Sequence, residues 1–514
     1  MGTYPAHSNA QMIFRRVGLR SRMFAKALIA LLVVSAGPAA PAQRTVDQGL
    51  VIENVTVISP ERVAPLLHAD VVIRDGRIVE LGTNLVAGPH ARRVDGTGRF
   101  LIPGLIDSHV HVGHSAALDD DAIDAHPELW AAYRKQVPRA YLAFGFTSVV
   151  DLDLTSADQE WFEGTPLHPR LYSCGKGIKV AGGYMAFKIP PLSSPNFPNL
   201  VYELKEAEHW PKSLNSGEYT PERAVSRAED SGAICVKAFV ESGFGTFHWP
   251  YLHTETLQKI RDATRKRKLV LIVHATSVDS WRSALDAHAD IIAHGLWVWP
   301  GDFDNSKPPE AAKKLIAAAA HAGTHIQPTL QTVAGESAMI DPSLLEDPRL
   351  ALALPPSVIA YLRSADGVKA RTALLKTYEK AAPPPGFEKL LNAAIERTRA
   401  TFKIMLQDHV PLLFGSDTPG VEGFGNPPGL NGRLELEDWA NDGAPLFLIL
   451  RAATLDNAYA LGLSRELGSI EVGKRADMLL LKANPLEDVS AYDSIETIFL
   501  NGEPIAREAL RAHN

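Results

Sequence analysis

Cysteine is nearly missing from this chain. Its 514 residues hold two, Cys174 and Cys235, which excludes a disulfide-dense scaffold. Both sit in apolar, strand-like runs, "RLYSCG" and "AICVKAFV". Each is expected to be a buried thiol, with a bridge left open should the compartment be oxidising. Positive charge is also short. The formal net charge is −7 and no basic stripe runs along the chain, which excludes a nucleic-acid footprint. A G-x-G-x-x-G opening a helix is absent, and with it the usual dinucleotide signature. No internal repeat is visible. The apolar run "FAKALIALLVVSAG" is shorter than the roughly 20 residues of a membrane-spanning helix.

That run has a different reading. The basic "FRRVGLRSR" precedes it and "PAAPAQ" follows, offering Ala40 and Ala42 as an A-x-A cleavage site. The order is that of a secretory signal over residues 1–42, with Met23 as an alternative start. An exported, periplasmic protein with no stable membrane span after cleavage is the expectation.

What remains has 46% hydrophobic and 22% charged residues, the composition of an ordinary globular protein. After the signal, "LVIENVTVIS" and "ADVVIRDGRIVELG" are short β runs about an Asp-Gly turn, and the chain closes with "ADMLLLKA" and "IETIFLNGEPI" about an Asn-Gly turn. These two ends suggest one small β domain. The middle alternates apolar β-branched runs ("FTSVVDL", "ICVKAFV", "LVLIVHA", "DIIAHGL", "THIQPTL", "VPLLFGSD") with helical patterns. "PPEAAKKLIAAAAHAG" has Pro near its start and Gly323 at its end. This alternation of strand and helix predicts a parallel sheet covered on both faces. The fold class is therefore α/β, a (β/α)8 barrel over 105–464 with a second domain from 43–104 and 465–514. Stretches 185–230 and 331–390 read as insertions after barrel strands.

Alternation along a strand sends His109 and His111 of "LIPGLIDSHVHVGH" to one face. In a barrel that face is the interior, and the C-terminal ends of its strands collect the chemistry. In "AICVKAFV" the apolar Ile234, Val236, Ala238 and Val240 share one face. Lys237 lies on the other with Cys235 and Phe239, where a lysine needs a partner. His274 ends "LVLIVH", His294 ends "DIIAH" and Asp417 ends "PLLFGSD". Imidazoles and carboxylates gathered at one end of a sheet suit a divalent cation.

These residues resemble the amidohydrolase superfamily of metal-dependent hydrolases, in its imidazolonepropionase-like and exported dipeptidase-like branch. "PGLIDSHVH", "VKAF", "VHA", "AHG" and "FGSDTP" are similar to its signatures on strands 1, 4, 5, 6 and 8, and "GSIEVGKRADMLLL" to its terminal β-sandwich. The resemblance implies two Zn²⁺ ions: His109, His111 and Asp417 on a buried metal, His274 and His294 on an outer one, and carboxylated Lys237 as the bridge. It also implies hydrolysis of a C–N bond in a dipeptide or N-acyl amino acid. Asp417 would act as general base and acid, and His294 would polarise the substrate oxygen. A small-molecule or peptide-like substrate is the expected partner, and association into a homo-oligomer is left open. The competing readings are a mononuclear cyclic-amide hydrolase or deaminase with Lys237 unmodified, lactone or ester hydrolysis on the same metals, and a non-catalytic binding protein.

Around this set, Asp107 is in phase with His109 as either an orienting carboxylate or a structural one. His114 lies beyond the strand. Tyr184 of "KVAGGYMAF" stands where many relatives have histidine. His325 is read as a strand histidine making one hydrogen bond. Trp297 and Trp299 are read as packing, and Arg433 is a candidate for a substrate carboxylate.

Overall fold

The computed structural model describes residues 43–243, 248–300, 306–382, 384–419 and 423–513. The expected signal, residues 1–42, lies outside the described residues.

The two chain ends share one sheet of eight strands. Its order is Glu503–Ala506, Ile495–Leu500, Met478–Leu481, Phe100–Pro103, Leu50–Val57, Leu66–Arg74 and Arg77–Gly82, with Arg92–Asp95 also paired to Leu50–Val57. The seam between the ends is antiparallel, Leu479 opposite Ile102. Tight turns fix the hairpins: Asp75 and Gly76 have φ of 49° and 71°, Asn501 and Gly502 of 52° and 78°. Two successive left-handed residues match the right-handed twist of the flanking strands, which is why Asp-Gly and Asn-Gly stand there. Alternation buries Leu50 and Ile52 in one apolar cluster and Val51 in another, with Val46, Val72 and Leu85.

The middle of the chain is α/β. Strands Leu105–Val110, Phe146–Asp151 and Arg170–Ser173 pair in parallel. So do Cys235–Phe239, Val270–His274, Ile291–Ala293 and His325–Gln327. Further bonds link the two sets: the Ile234 N–H donates to the Ser173 carbonyl (2.9 Å), Leu413 N–H to Ile326 (2.8 Å) and His111 N–H to Thr418 (2.7 Å). Intervening helices include Pro127–Ala143, Thr254–Arg267, Val278–Asp286 and Glu310–Ala322. The last stops at Gly323 (φ 70°), whose N–H donates back to the final turn. Every residue of Leu105–Val110, Phe146–Asp151 and Cys235–Phe239 is buried, which accounts for their continuous apolar runs. No described helix is long and apolar enough to cross a membrane.

The cysteines differ from the expectation. Both are buried, but they are joined, Cys174 to Cys235, with Cα atoms 4.3 Å apart. Cys174 directly follows Ser173, the residue bonded to Ile234, so strand pairing brings the two thiols together.

Candidate metal centre

His109 and His111 project from one strand, and the backbone of residues 416–418 lies beside it. The Asp417 N–H donates to the His109 carbonyl (2.7 Å). Oδ1 of Asp417 lies 3.1 Å from Nε2 of His109 and 3.1 Å from Nε2 of His111. These three buried ligand atoms lie within 4.8 Å of one another. Lys237, 1% exposed, brings Nζ to 3.4 Å from His109 Nε2. His294 places Nδ1 3.7 Å from Asp417 Oδ2, and its ring centroid is 4.5 Å from that of His274. All six residues therefore share one end of the sheet. His274, His294 and Lys237 surround the compact His-His-Asp group without joining it.

The backbone here is unusual. His294 (φ 81°), Thr329 (49°) and Asp417 (54°) all occupy the left-handed region, which non-glycine residues avoid and β-branched ones especially so. Neighbours hold them there. Thr329 and His294 pair through Oγ1 and Nδ1 (2.9 Å), and the Thr332 hydroxyl donates to the Ser416 carbonyl (2.7 Å).

Electrostatics separate the roles. Burial raises the Asp417 carboxyl, but the imidazoles of His109, His111 and His294 outweigh it and hold it well below the usual carboxylate range. Burial, helped by the Lys237 charge, lowers His109 to about 3. Burial also lowers Lys237 to about 7, against the pull of Asp417 and Asp153. His294 is held well below its ordinary value by burial and His274. Burial lowers His111 too, but Asp417 outweighs it and raises the ring above its ordinary value; His109 and His294 therefore face the ionised carboxylate as neutral imidazoles, and His111 would release its proton on taking a cation.

Glu241 is a site residue the sequence reading passed over. It is buried, accepts from the Thr276 hydroxyl (2.6 Å) and from the Gly243 N–H (3.0 Å), and turns Oε2 to within 3.6 Å of His274 Nε2. Glu241 continues the alternation of Lys237 and Phe239, which could have found it. Lys179 and Asp153 form an ion pair, and Asp153 also bears on the Lys237 amine. Gln327 is fully buried and donates to the Ser108 carbonyl (2.9 Å).

Tyr184 lies in the site, its ring 5.0 Å from that of His274. An aromatic wall continues outward through Trp249 (5.5 Å from Tyr184) to Phe187, which is 54% exposed. Asp107 holds the Asp417 segment: it accepts from the backbone and hydroxyl of Ser416 (2.9 and 2.5 Å). His114 stacks on His111 at 5.3 Å.

Three peripheral residues stand apart from the metal centre. Arg433 does not reach a substrate. It is fully buried and donates to Asp493 (2.6 Å) and Glu437 (3.0 Å), because its helix Leu430–Asn441 packs on the C-terminal segment. His325 begins its strand, its N–H bonded to the Asp290 carbonyl, so Gln327 rather than His325 stands nearest the site. Trp299 is buried under Arg397, whose guanidinium lies 4.6 Å from the ring centroid.

The donor set fits a divalent cation. Two ligand atoms each ~2.1 Å from a tetrahedral ion stand about 3.4 Å apart, close to the 3.1 Å separations from Asp417. His274 turns Nε2 toward the Glu241 carboxylate, which leaves its other ring nitrogen for a cation.

Comparisons with known proteins agree on the family. Residues 100–505 match the family model described as "Amidohydrolase family". Dihydropyrimidinase 1 of Caenorhabditis elegans is 43% identical over 63 residues, which are 12% of this chain and 12% of that protein. The chain thus matches about an eighth of the length of such curated relatives. Among solved structures, a prolidase complexed with N-methylphosphonate-L-proline is 22% identical, with a TM-score of 0.64 over 89% of this chain and 99% of the other. A Xaa-Pro dipeptidase with methionine in its active site is 19% identical, with a TM-score of 0.58 over 89% and 99%.

Proposed function

The chain belongs to the amidohydrolase family, and on that premise we propose that it is a metal-dependent hydrolase cleaving the C–N amide bond of a small substrate such as a dipeptide or N-acyl amino acid. One observation carries the proposal: a single carboxylate oxygen of Asp417 faces Nε2 of both His109 and His111 at 3.1 Å.

In this reading His109, His111 and Asp417 hold a buried divalent cation, and His274 and His294 an outer one, with zinc as the natural choice for such donors. Cations at these positions supply Lewis-acid polarisation of the scissile carbonyl and lower the pKa of water toward 7. Asp417, ionised at neutral pH, accepts a proton from the attacking water and returns it to the leaving amine. His294, neutral and with Nδ1 held by Thr329, has one nitrogen left, which would hold the outer cation against which the carbonyl oxygen is polarised. Lys237 presents an amine whose lowered pKa leaves it partly unprotonated. Taking up CO₂ with loss of a proton, its Nζ would become a carbamate, an anionic oxygen donor that would join the residues holding the cations.

The hydrogen-bonded strand order supports a (β/α)8 barrel over residues 105–464, and the shared terminal sheet supports a β-sandwich from 43–104 and 465–514. The signal-like leader favours export to a periplasm, and the buried disulfide suits such a compartment.

The mononuclear reading has one observation in its favour: among the described residues only His109, His111 and Asp417 form a compact ligand group. Lys237→Ala separates the two. The binuclear protein should lose metal and turnover on this change, with partial rescue by a short carboxylic acid. A variant that keeps its metal content and full turnover returns the mononuclear reading.

A further inference from the structure

A line of aromatic rings leads from the metal centre to the protein surface, and the mechanism does not use it. The Tyr184 ring lies 5.0 Å from that of His274, and Phe239 lies 5.5 Å from the same imidazole. Trp249 continues the line at 5.5 Å from Tyr184. Phe187 ends it, 5.2 Å from Trp249 and 6.4 Å from Tyr184. Exposure rises in the same direction, from 5% at His274 to 54% at Phe187. The line therefore runs outward from the metal centre to solvent.

The backbone holds these rings in place. The Gly182 N–H donates to the Ala186 carbonyl (3.0 Å) and the Ala186 N–H to the Gly183 carbonyl (2.9 Å), a tight turn with Tyr184 and Met185 at its tip. Met185 is held at φ 57°, a conformation that glycine normally supplies at this place in a turn. A Cβ on Gly183 would stand 2.3 Å from the Pro250 carbonyl oxygen, so the turn packs directly on the segment that carries Trp249. The Trp249 N–H in turn donates to the Ser242 carbonyl (2.9 Å), one residue beyond Glu241. A surface fixed in this way loses little freedom when a ligand settles on it.

The planes of Tyr184 and Phe187 stand at 89° to each other. Two rings at a right angle form a corner in which a third can stack on one and meet the other edge-on, both favoured arrangements. Resting on the hydrolase reading above, we propose that Tyr184, Trp249 and Phe187 form the specificity surface for an aromatic side chain of the substrate. The substrate class is then dipeptides and N-acyl amino acids that carry an aromatic ring beside the scissile bond, in preference to those with small aliphatic side chains.

The test uses three ligands without an amide bond, so binding is read apart from turnover. Calorimetry on the metal-loaded protein compares 3-phenylpropanoate, 3-cyclohexylpropanoate and propanoate. Burial of the phenyl group predicts that 3-phenylpropanoate binds roughly ten- to a hundredfold tighter than propanoate. Contact between rings predicts that it exceeds 3-cyclohexylpropanoate by about two- to tenfold. Phe187→Leu keeps apolar bulk and should lose most of the second preference, and Trp249→Ala should reduce both; thermal melting confirms that the variants fold. Equal binding of the phenyl and cyclohexyl ligands by the native protein overturns the proposal. So does a phenyl preference that survives both substitutions unchanged. Turnover of phenylalanyl and alanyl dipeptides is measured alongside. Cleavage of both with equal kcat/KM overturns the proposal and leaves the hydrolase reading intact. Cleavage of neither, with the phenyl preference present, removes the hydrolase reading and leaves the aromatic surface standing.

Discussion

Asp417 meets His109 twice. Its N–H donates to the His109 carbonyl at 2.7 Å, and its carboxylate lies 3.1 Å from the His109 ring. Backbone and side chain are registered together, so a substitution that keeps the shape of Asp417 leaves the segment in place. Asp417→Asn should fold normally and lose about 10²–10⁴-fold in kcat, as removal of a general base does. Steady-state kinetics on metal-replete protein provide the check, and near-normal turnover removes Asp417 from proton transfer.

Glu241 should act through His274. A carboxylate opposite one ring nitrogen fixes the tautomer that leaves the other free for a cation. Glu241→Ala is expected to weaken metal binding about 10–100-fold. Glu241→Gln, which keeps an acceptor oxygen, should retain most of the affinity. Competition against a chromophoric chelator measures both, and unchanged affinity in Glu241→Ala would show that the carboxylate does not orient the ring.

The Cys174–Cys235 bridge closes a loop with a sequence separation of 61 residues. Replacing both with alanine should cost about 2–4 kcal/mol, read as a lower urea midpoint. A variant as stable as the parent would show that strand pairing alone sets this part of the sheet.

Glu435 links stability to pH. It is buried and accepts from the N–H groups of Leu330 (3.0 Å) and Gln331 (2.6 Å) and from the Trp439 indole (2.7 Å). Burial nevertheless raises its carboxyl from 4.5 to about 8. Between those values the folded protein keeps a proton that the unfolded chain has released, so this residue's contribution to stability falls as pH rises. Glu435→Gln should therefore gain stability relative to the parent between pH 5 and pH 8, as followed by thermal melting. A constant difference across that range contradicts the assignment.

The strand-end residues were legible because each closes an apolar run, and alternation assigns His109, His111 and Lys237 a face without knowledge of the fold. The hairpins at Asp75–Gly76 and Asn501–Gly502 were legible for a similar reason, since local backbone demand selects those pairs. Residues whose place depends on a distant partner were not. Arg433 reads as a free cation until Asp493 is brought beside it. The two cysteines become a pair only once Ile234 bonds to Ser173.

The central claim is that amide hydrolysis depends on cations held by His109, His111 and Asp417. The most direct measurement follows turnover of a dipeptide panel while bound metal per chain is counted, as the protein is stripped by a chelator and then reloaded. The account predicts that turnover tracks bound divalent cation, vanishes when it is removed and returns when it is restored. Full turnover by metal-free protein would contradict it.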